Sequence, residues 1–190
     1  IVVGSHARNA VPRIWEGSVS RGVLEEAAVS VLSVPSLPST SSREPHPPRS
    51  VLVATDFSSV GDAAVGLAYC MTADGGTVHL VHVVPCRHSD SLEPFYVSQS
   101  APRDAALQER LHALIPAEAS KRHLTSELHV LSSHDAAAAI YQASERLGVD
   151  LVCLGTRARG RVTKALLGSV AERVVSLSRR PVLLAPPEIE

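Results

Sequence analysis

The segment with the most chemical potential is 155–169, GTRARGRVTKALLGS. An apolar run delivers Gly155, a loop carrying Arg157, Arg159, Arg161 and Lys164 follows, and Gly168-Ser169-Val170 opens a stretch with helical periodicity. Glycines let backbone N–H groups approach phosphate oxygens, and a helix N-terminus adds unpaired donors and a positive dipole. A phosphate would fit such a segment. The same residues also serve as a strand end, a solvated basic loop and a helix start, and spacing alone leaves both readings open. Asp56 closes another apolar run, where it is placed to ligate Mg²⁺ or act as a base, or simply to cap the following turn.

Other chemistries find less support. Gly155-x4-Gly160-Arg161-Val162 falls short of a P-loop, because Arg replaces the phosphate lysine and Val replaces the hydroxyl that holds Mg²⁺. Its helix should also begin at once, whereas the better helix start is Gly168. His79 and His82 lie three apart on an apolar run, so on a regular strand they point to opposite faces and cannot share an ion. Cys86 and His88 follow in a loop without an obvious third ligand, and no metal site is expected. No Gly-x-Ser-x-Gly elbow is present and no catalytic residue is assigned; Ser169 is better placed at a helix start. Cys70 and Cys153 fall on apolar helix and strand positions and are expected to be buried.

The elements that position these residues alternate. Residues 51–55, 77–84, 151–154 and 181–185 read as apolar strands, the first and third apolar throughout and therefore central. In 124–132, Glu127 and His129 alternate with Leu128 and Val130, the pattern of a half-exposed edge strand. Ser59-Val60-Gly61-Asp62 has capping-box form, with Val60, Ala64, Leu67 and Met71 at helical spacing behind it. Leu107, Leu111 and Leu114 mark a second helix that Pro116 ends. Ala136, Ile140, Ala143 and Leu147 mark a third, closed by Gly148, and Val170, Val174 and Leu177 a fourth. The class is α/β: a doubly wound, five-stranded parallel sheet of order 3-2-1-4-5, with helices on both faces. Ligands of such sheets bind at the carboxyl ends of the strands where the order reverses, here between strands 1 and 4. Asp56 and Gly155 stand at those two ends.

The chain has 190 residues, 45% hydrophobic and 19% charged, with a net charge of −1. That suits a globular domain and gives no bulk attraction to nucleic acid or anionic lipid. No window approaches the roughly 18 apolar residues of a membrane span. Three cysteines at wide spacings without a CxxC point to a reducing cytoplasm. Residues 36–50 are dense in Ser and Pro and read as a linker. Residues 1–35 repeat residues 152–186 at a constant offset of 151, without gaps. Gly4 falls on Gly155, Ala7 on Ala158, Arg8 on Arg159, Gly17-Ser18-Val19 on Gly168-Ser169-Val170, and Leu32 on Leu183. Residues 1–35 are thus expected to be the closing part of a first, truncated copy of the complete domain at 51–187. Their strand, 29–34, should lie antiparallel to 181–185, while Val19, Val23 and Leu24 should expose apolar surface.

VLVATDFS at 51–58, LVHVV at 80–84 and DLVCLGTRARGRVTKALLGSVAERVVSLSRRPVLLAPP at 150–187 resemble the universal stress protein family, tandem type. The resemblance covers residues 50–187 and implies an adenine nucleotide alpha hydrolase-like fold. It also implies that ATP or a related adenine nucleotide, with Mg²⁺, binds at the switch point. Asp56 would lie by the adenosine part, and Val83 would offer backbone contacts to adenine. Gly155, position 158, Gly168, Ser169 and Val170 would hold ribose and phosphates. The family pattern has Gly at 158, whereas this chain has Ala158. Two readings therefore stand: a nucleotide-binding stress-response module with slow hydrolysis at most, or a nucleotide-free interaction scaffold. The resemblance further implies self-association, or pairing of the two copies, through the last strand from Pro181 to Ala185.

Overall fold

The computed structural model describes residues 1–5, 22–24, 27–35, 46–86, 95–96, 102–156 and 167–186. In chain order these give β1 (Val2–Ser5), β2 (Val31–Pro35), β3 (Ser50–Ala54), α1 (Ser59–Met71), β4 (Thr77–Pro85) and β5 (Phe95–Tyr96). There follow α2 (Pro102–His112), α3 (Glu118–Lys121), β6 (Thr125–Ser133), α4 (Ala136–Arg146), β7 (Leu151–Gly155), α5 (Ser169–Leu177) and β8 (Val182–Ala185). The strands form one sheet of order β1-β2-β8-β7-β3-β4-β6-β5. Its middle, β6-β4-β3-β7-β8, is parallel throughout and has the 3-2-1-4-5 order expected of the domain.

β3 and β7 are neighbours, and Val51, Leu52, Val53, Val152 and Cys153 on them are at most 1% exposed. Being covered on both faces is why these strands read as unbroken apolar runs. One face packs Leu52, Val81, Leu131, Val152 and Leu154 under α4 and α5. The other packs Val51, Val53, Val78, Leu80 and Cys153 under α1, with Leu111 of α2 and Ala119 of α3. Asp150 ties the start of β3 to β7, its Oδ2 accepting from the Arg49 and Ser50 N–H groups at 2.9 and 3.0 Å. Arg122 donates to the Tyr69 and Thr72 carbonyls, both at 2.6 Å, and pairs with Asp74 at 2.7 Å. A cation thus sits on the carbonyl end of α1, where the helix dipole favours it.

Several local expectations are corrected. The N-cap of α1 is Ser58, not Ser59: its side chain accepts from the Gly61 N–H, and its extended backbone (φ −86°, ψ 160°) suits the role. The inward stripe of α1 is Gly61, Ala64, Val65, Ala68 and Tyr69, which turns Met71 outward to 40% exposure and leaves Cys70 exposed too. Tyr69 can hold the buried place because its hydroxyl meets Ser126 Oγ at 2.6 Å. Cys153 is buried as expected, and that burial pushes its thiol up to about 12. On α5 the buried residues are Ala171, Val174 and Val175, whereas Val170 is exposed. β6 is flanked at its far end by β5, a two-residue antiparallel strand that no periodicity announces.

The N-terminal strands extend the sheet. β2 runs antiparallel to β8, pairing Val31 with Leu184, Leu32 with Leu183 and Ser33 with Val182, and β1 runs parallel beside β2. This is the placement expected for the 29–34 strand. Leu32 faces Leu183, the very residue onto which the 151-residue offset carries it, so a local pseudo-twofold axis passes through that pair. Leu24 is 4% exposed and joins the α4–α5 side of the core, with Val23 packed against it, contrary to the exposure expected of both. Val19 lies outside the described residues.

Candidate functional site

At the carboxyl ends of β3 and β7 the sheet opens into a cleft of about 140 Å³. That is the scale of a cavity that takes one aromatic ring. Its walls include Thr55 and Asp56 after β3, Val83 on β4, Ala136 and Ile140 on α4, Gly155 at the end of β7, and Gly168 and Val170 at the start of α5. Five residues expected from sequence, Asp56, Val83, Gly155, Gly168 and Val170, thus meet in one place. Ser169 is the first residue of α5 and is exposed. Ala158, with Arg157, Arg159, Arg161 and Lys164, lies outside the described residues.

The turn that presents Asp56 is tightly specified. Asp56 Oδ1 accepts from the Ser58 N–H at 3.0 Å, and Thr55 Oγ1 accepts from the Phe57 N–H at 2.9 Å. Thr55 Oγ1 in turn donates to Asp62 Oδ1 at 3.1 Å. These bonds hold Phe57 at φ +60°, a left-handed conformation that a bulky residue seldom takes. Beneath it, the Phe57 and His82 rings lie 4.5 Å apart, and Arg110 stacks 3.9 Å over Phe57. His82 Nδ1–H donates to the Thr55 carbonyl at 2.9 Å. Asp56 therefore does cap a turn, and it does so with only one of its oxygens.

Gly155 has a packing reason to be glycine. A Cβ there would come within 2.9 Å of both Val60 Cγ1 and the Val60 carbonyl oxygen, since α1 lies directly against the end of β7. Gly61 is equally confined, at 2.7 Å from Thr55 Oγ1. These two glycines let α1 and the strands converge at the cleft floor. The Gly168 N–H donates to the Thr156 carbonyl at 2.6 Å, fixing where α5 begins. Among the described residues no side chain caps α5, so its first-turn N–H groups are directed to the cleft end of the helix. Arg173 and Asp135 pair at 2.7 Å, joining α5 to the start of α4.

Sequence reasoning missed Thr55, Gly61, His82, Ala136, Ile140 and Ala171 as cleft-lining residues. The available signal was position: each lies at or near a strand's carboxyl end or a helix's first turns. His79 and His82 do face opposite sides of the sheet. His82 packs on Phe57, on the α1 side, while His79 Nδ1 approaches Glu127 and His129 at the amino ends of β4 and β6.

A doubly wound, mostly parallel sheet with helices on both faces and a cleft at its switch point defines a class of open α/β folds that take ligands at the carboxyl ends of their strands. Within it, the chain belongs to the universal stress protein family, whose model matches residues 48–186. Universal stress protein Rv2623 of Mycobacterium tuberculosis is 30% identical over 187 residues, which cover 97% of this chain and 60% of the relative. The chain thus spans about 60% of the length of that relative. The crystal structure of a universal stress protein from Archaeoglobus fulgidus is similar at TM-score 0.60 and 25% identity, over 98% of this chain and 60% of that one. A universal stress protein in complex with cAMP has the same fold at TM-score 0.56 and 18% identity, covering 75% of this chain and 100% of that one. Among the described residues no helix is long and apolar enough to cross a membrane.

Proposed function

We propose that this chain is a cytoplasmic stress-response module that binds ATP or a related adenine nucleotide in the cleft between β3 and β7. The observation that carries the reading is the convergence there of a ring-sized apolar floor and the side-chain-uncapped start of α5. An apolar slot and a ring of backbone donors are what a base and a phosphate respectively require. The structural relative bound to cAMP supports the ligand class. Val83 would offer adenine its backbone, Asp56 its outer oxygen toward ribose or Mg²⁺, and Gly168, Ser169 and Val170 the phosphate end. A bound triphosphate would supply anionic charge to the helix start. This chain's residues would bind and orient it, and no base is assigned to hydrolyse it.

A second reading, a nucleotide-free scaffold, is favoured by two observations. Ala158 replaces the motif glycine, and Gly155 is explained by its contact with Val60 without any ligand. Residues 1–35 fit the closing strand–helix–strand of a first domain copy paired to the second through β2 and β8. The offset of 151 and the pseudo-twofold register through Leu32 and Leu183 support that arrangement.

Calorimetric titration of ATP and of cAMP into the full chain, with and without Mg²⁺, tests the first reading. Micromolar binding is expected, weakened at least tenfold by Val170→Glu, which sets a carboxylate at the cleft mouth without entering the core. Binding that appears only in Ala158→Gly would move the function to the scaffold reading.

A further inference from the structure

The amino-terminal halves of β4 and β6 carry a cluster that the cleft does not use. His79 is the third residue of β4, and Glu127 and His129 are the third and fifth of β6. The parallel register sets His79 opposite Glu127 and Val81 opposite His129. All three side chains project on the α4–α5 face, as Val83 does at the cleft, about 13 Å further along β4 at ~3.3 Å per residue. His79 Nδ1 lies 3.1 Å from Glu127 Oε2 and 3.2 Å from His129 Nε2, and His129 Nε2 lies 3.7 Å from Glu127 Oε2.

We propose that His79, Glu127 and His129 form a binding site for a divalent transition-metal ion of the zinc type. Three donor atoms around a tetrahedral zinc with bonds of about 2.0–2.1 Å stand about 3.3–3.4 Å from one another. The separations of 3.1, 3.2 and 3.7 Å bracket that value. Two imidazole nitrogens and one carboxylate oxygen are a borderline donor set that suits zinc, cobalt, nickel or copper better than magnesium or calcium. The outer shell has the required form as well. His79 uses Nδ1 toward the cluster, and its Nε2 meets Ser50 Oγ at 3.2 Å. In a metal-bound imidazole the second nitrogen donates to an orienting partner, and a hydroxyl can accept that proton.

Accessibility is graded in the way an open site needs. The His79 and His129 side chains are 7% and 14% exposed, which fixes their rings, while the Glu127 side chain is 49% exposed and forms the solvent wall. The fourth position therefore faces water. Burial lowers the affinity of both imidazoles for protons, aided at His129 by the neighbouring His79 and opposed by Glu127. A bound ion would tie β6 to β4, far from the nucleotide cleft.

The test uses the full chain, stripped with a chelator and free of nucleotide. One equivalent of Co²⁺ is expected to give the intense visible bands of a tetrahedral centre, and Zn²⁺ to abolish them by displacement. Glu127→Gln should weaken Zn²⁺ at least tenfold in calorimetry, His129→Gln at least a hundredfold, and Ser50→Ala about 10–100-fold. Circular dichroism of the metal-free variants reports that each is folded, and Glu127, being half exposed, can be replaced without disturbing the core. Absence of stoichiometric binding by the unmodified chain overturns the proposal. Equal affinity in Glu127→Gln and His129→Gln also overturns it, because the metal would then sit on other histidines.

Discussion

The sheet is finished differently at its two rims. At the carboxyl rim the cleft is made largely of backbone: Gly155 and Gly61 where α1 presses on the strands, Gly168 where α5 begins, and a turn locked by Thr55 and Asp56. At the amino rim the chemistry belongs to side chains, with Ser50, His79, Glu127 and His129 bonded across three strands. A site built from backbone accepts any side chain that adds no volume and rejects any that does. A site built from side chains tolerates changes of volume near its solvent wall but is destroyed by a change of donor atom. The two rims should therefore respond oppositely to substitution.

The largest effect is expected at the carboxyl rim. Gly155→Ala must push its methyl into Val60 at 2.9 Å and should cost about 1–3 kcal/mol, as overpacking does. Thermal unfolding reads this directly, and an unchanged midpoint would mean that α1 yields and that Gly155 is held for a ligand instead. Between the rims, Cys153 tests how dry the middle of β7 is. An ordinary thiol ionises around 9.0, while burial holds the folded one back until about 12. Above 9.0 the unfolded state thus binds fewer protons, and stability falls as pH rises. The loss should be about 1 kcal/mol by pH 10, and Cys153→Ala should remove that part of the alkaline slope in urea titrations. A slope unaffected by the substitution would contradict a dry strand.

Asp135→Ala probes a side-chain bond of the carboxyl rim. It removes the N-cap of α4, where Oδ1 accepts from the Ala138 N–H at 3.1 Å, and the pair with Arg173. A loss of about 1 kcal/mol in denaturant titration is expected. Most of it should be the cap, because Arg173 is 59% exposed and such pairs contribute little. The smallest effect belongs to the amino rim. Glu127→Gln in the metal-free chain should change stability by under about 1 kcal/mol. A larger loss would show that the cluster holds the sheet together without an ion, and the contrast between the rims would fail.

The strand order was legible because 51–54 and 151–154 are apolar at every position, as central parallel strands covered on both faces require. Helix faces were less so. In α1 the apolar residues nearly encircle the helix, and the choice of Tyr69 over Met71 as the inward residue depends on Ser126, 57 positions away. The cleft residues Asp56, Gly155 and Gly168 could be placed because each marks the end or start of an element, whereas Val83 and Val170 came only with the family resemblance. The metal-ligand cluster could not be placed. Alternation puts Glu127 and His129 on one face of β6, but His79 joins them only through the register of β4 against β6, which nothing local specifies.

The pseudo-twofold axis through Leu32 and Leu183 also bears on how this sheet can change over time. A strand that pairs with an identical copy of itself must be its own complement, so each replacement enters the contact twice and a poor one is penalised twice. Two strands in one polypeptide escape that constraint. The pairs on either side of the axis already differ: Val31 meets Leu184, while Ser33 meets Val182. Covalent linkage leaves the two edges of this seam able to drift separately, each accepting what the other can accommodate.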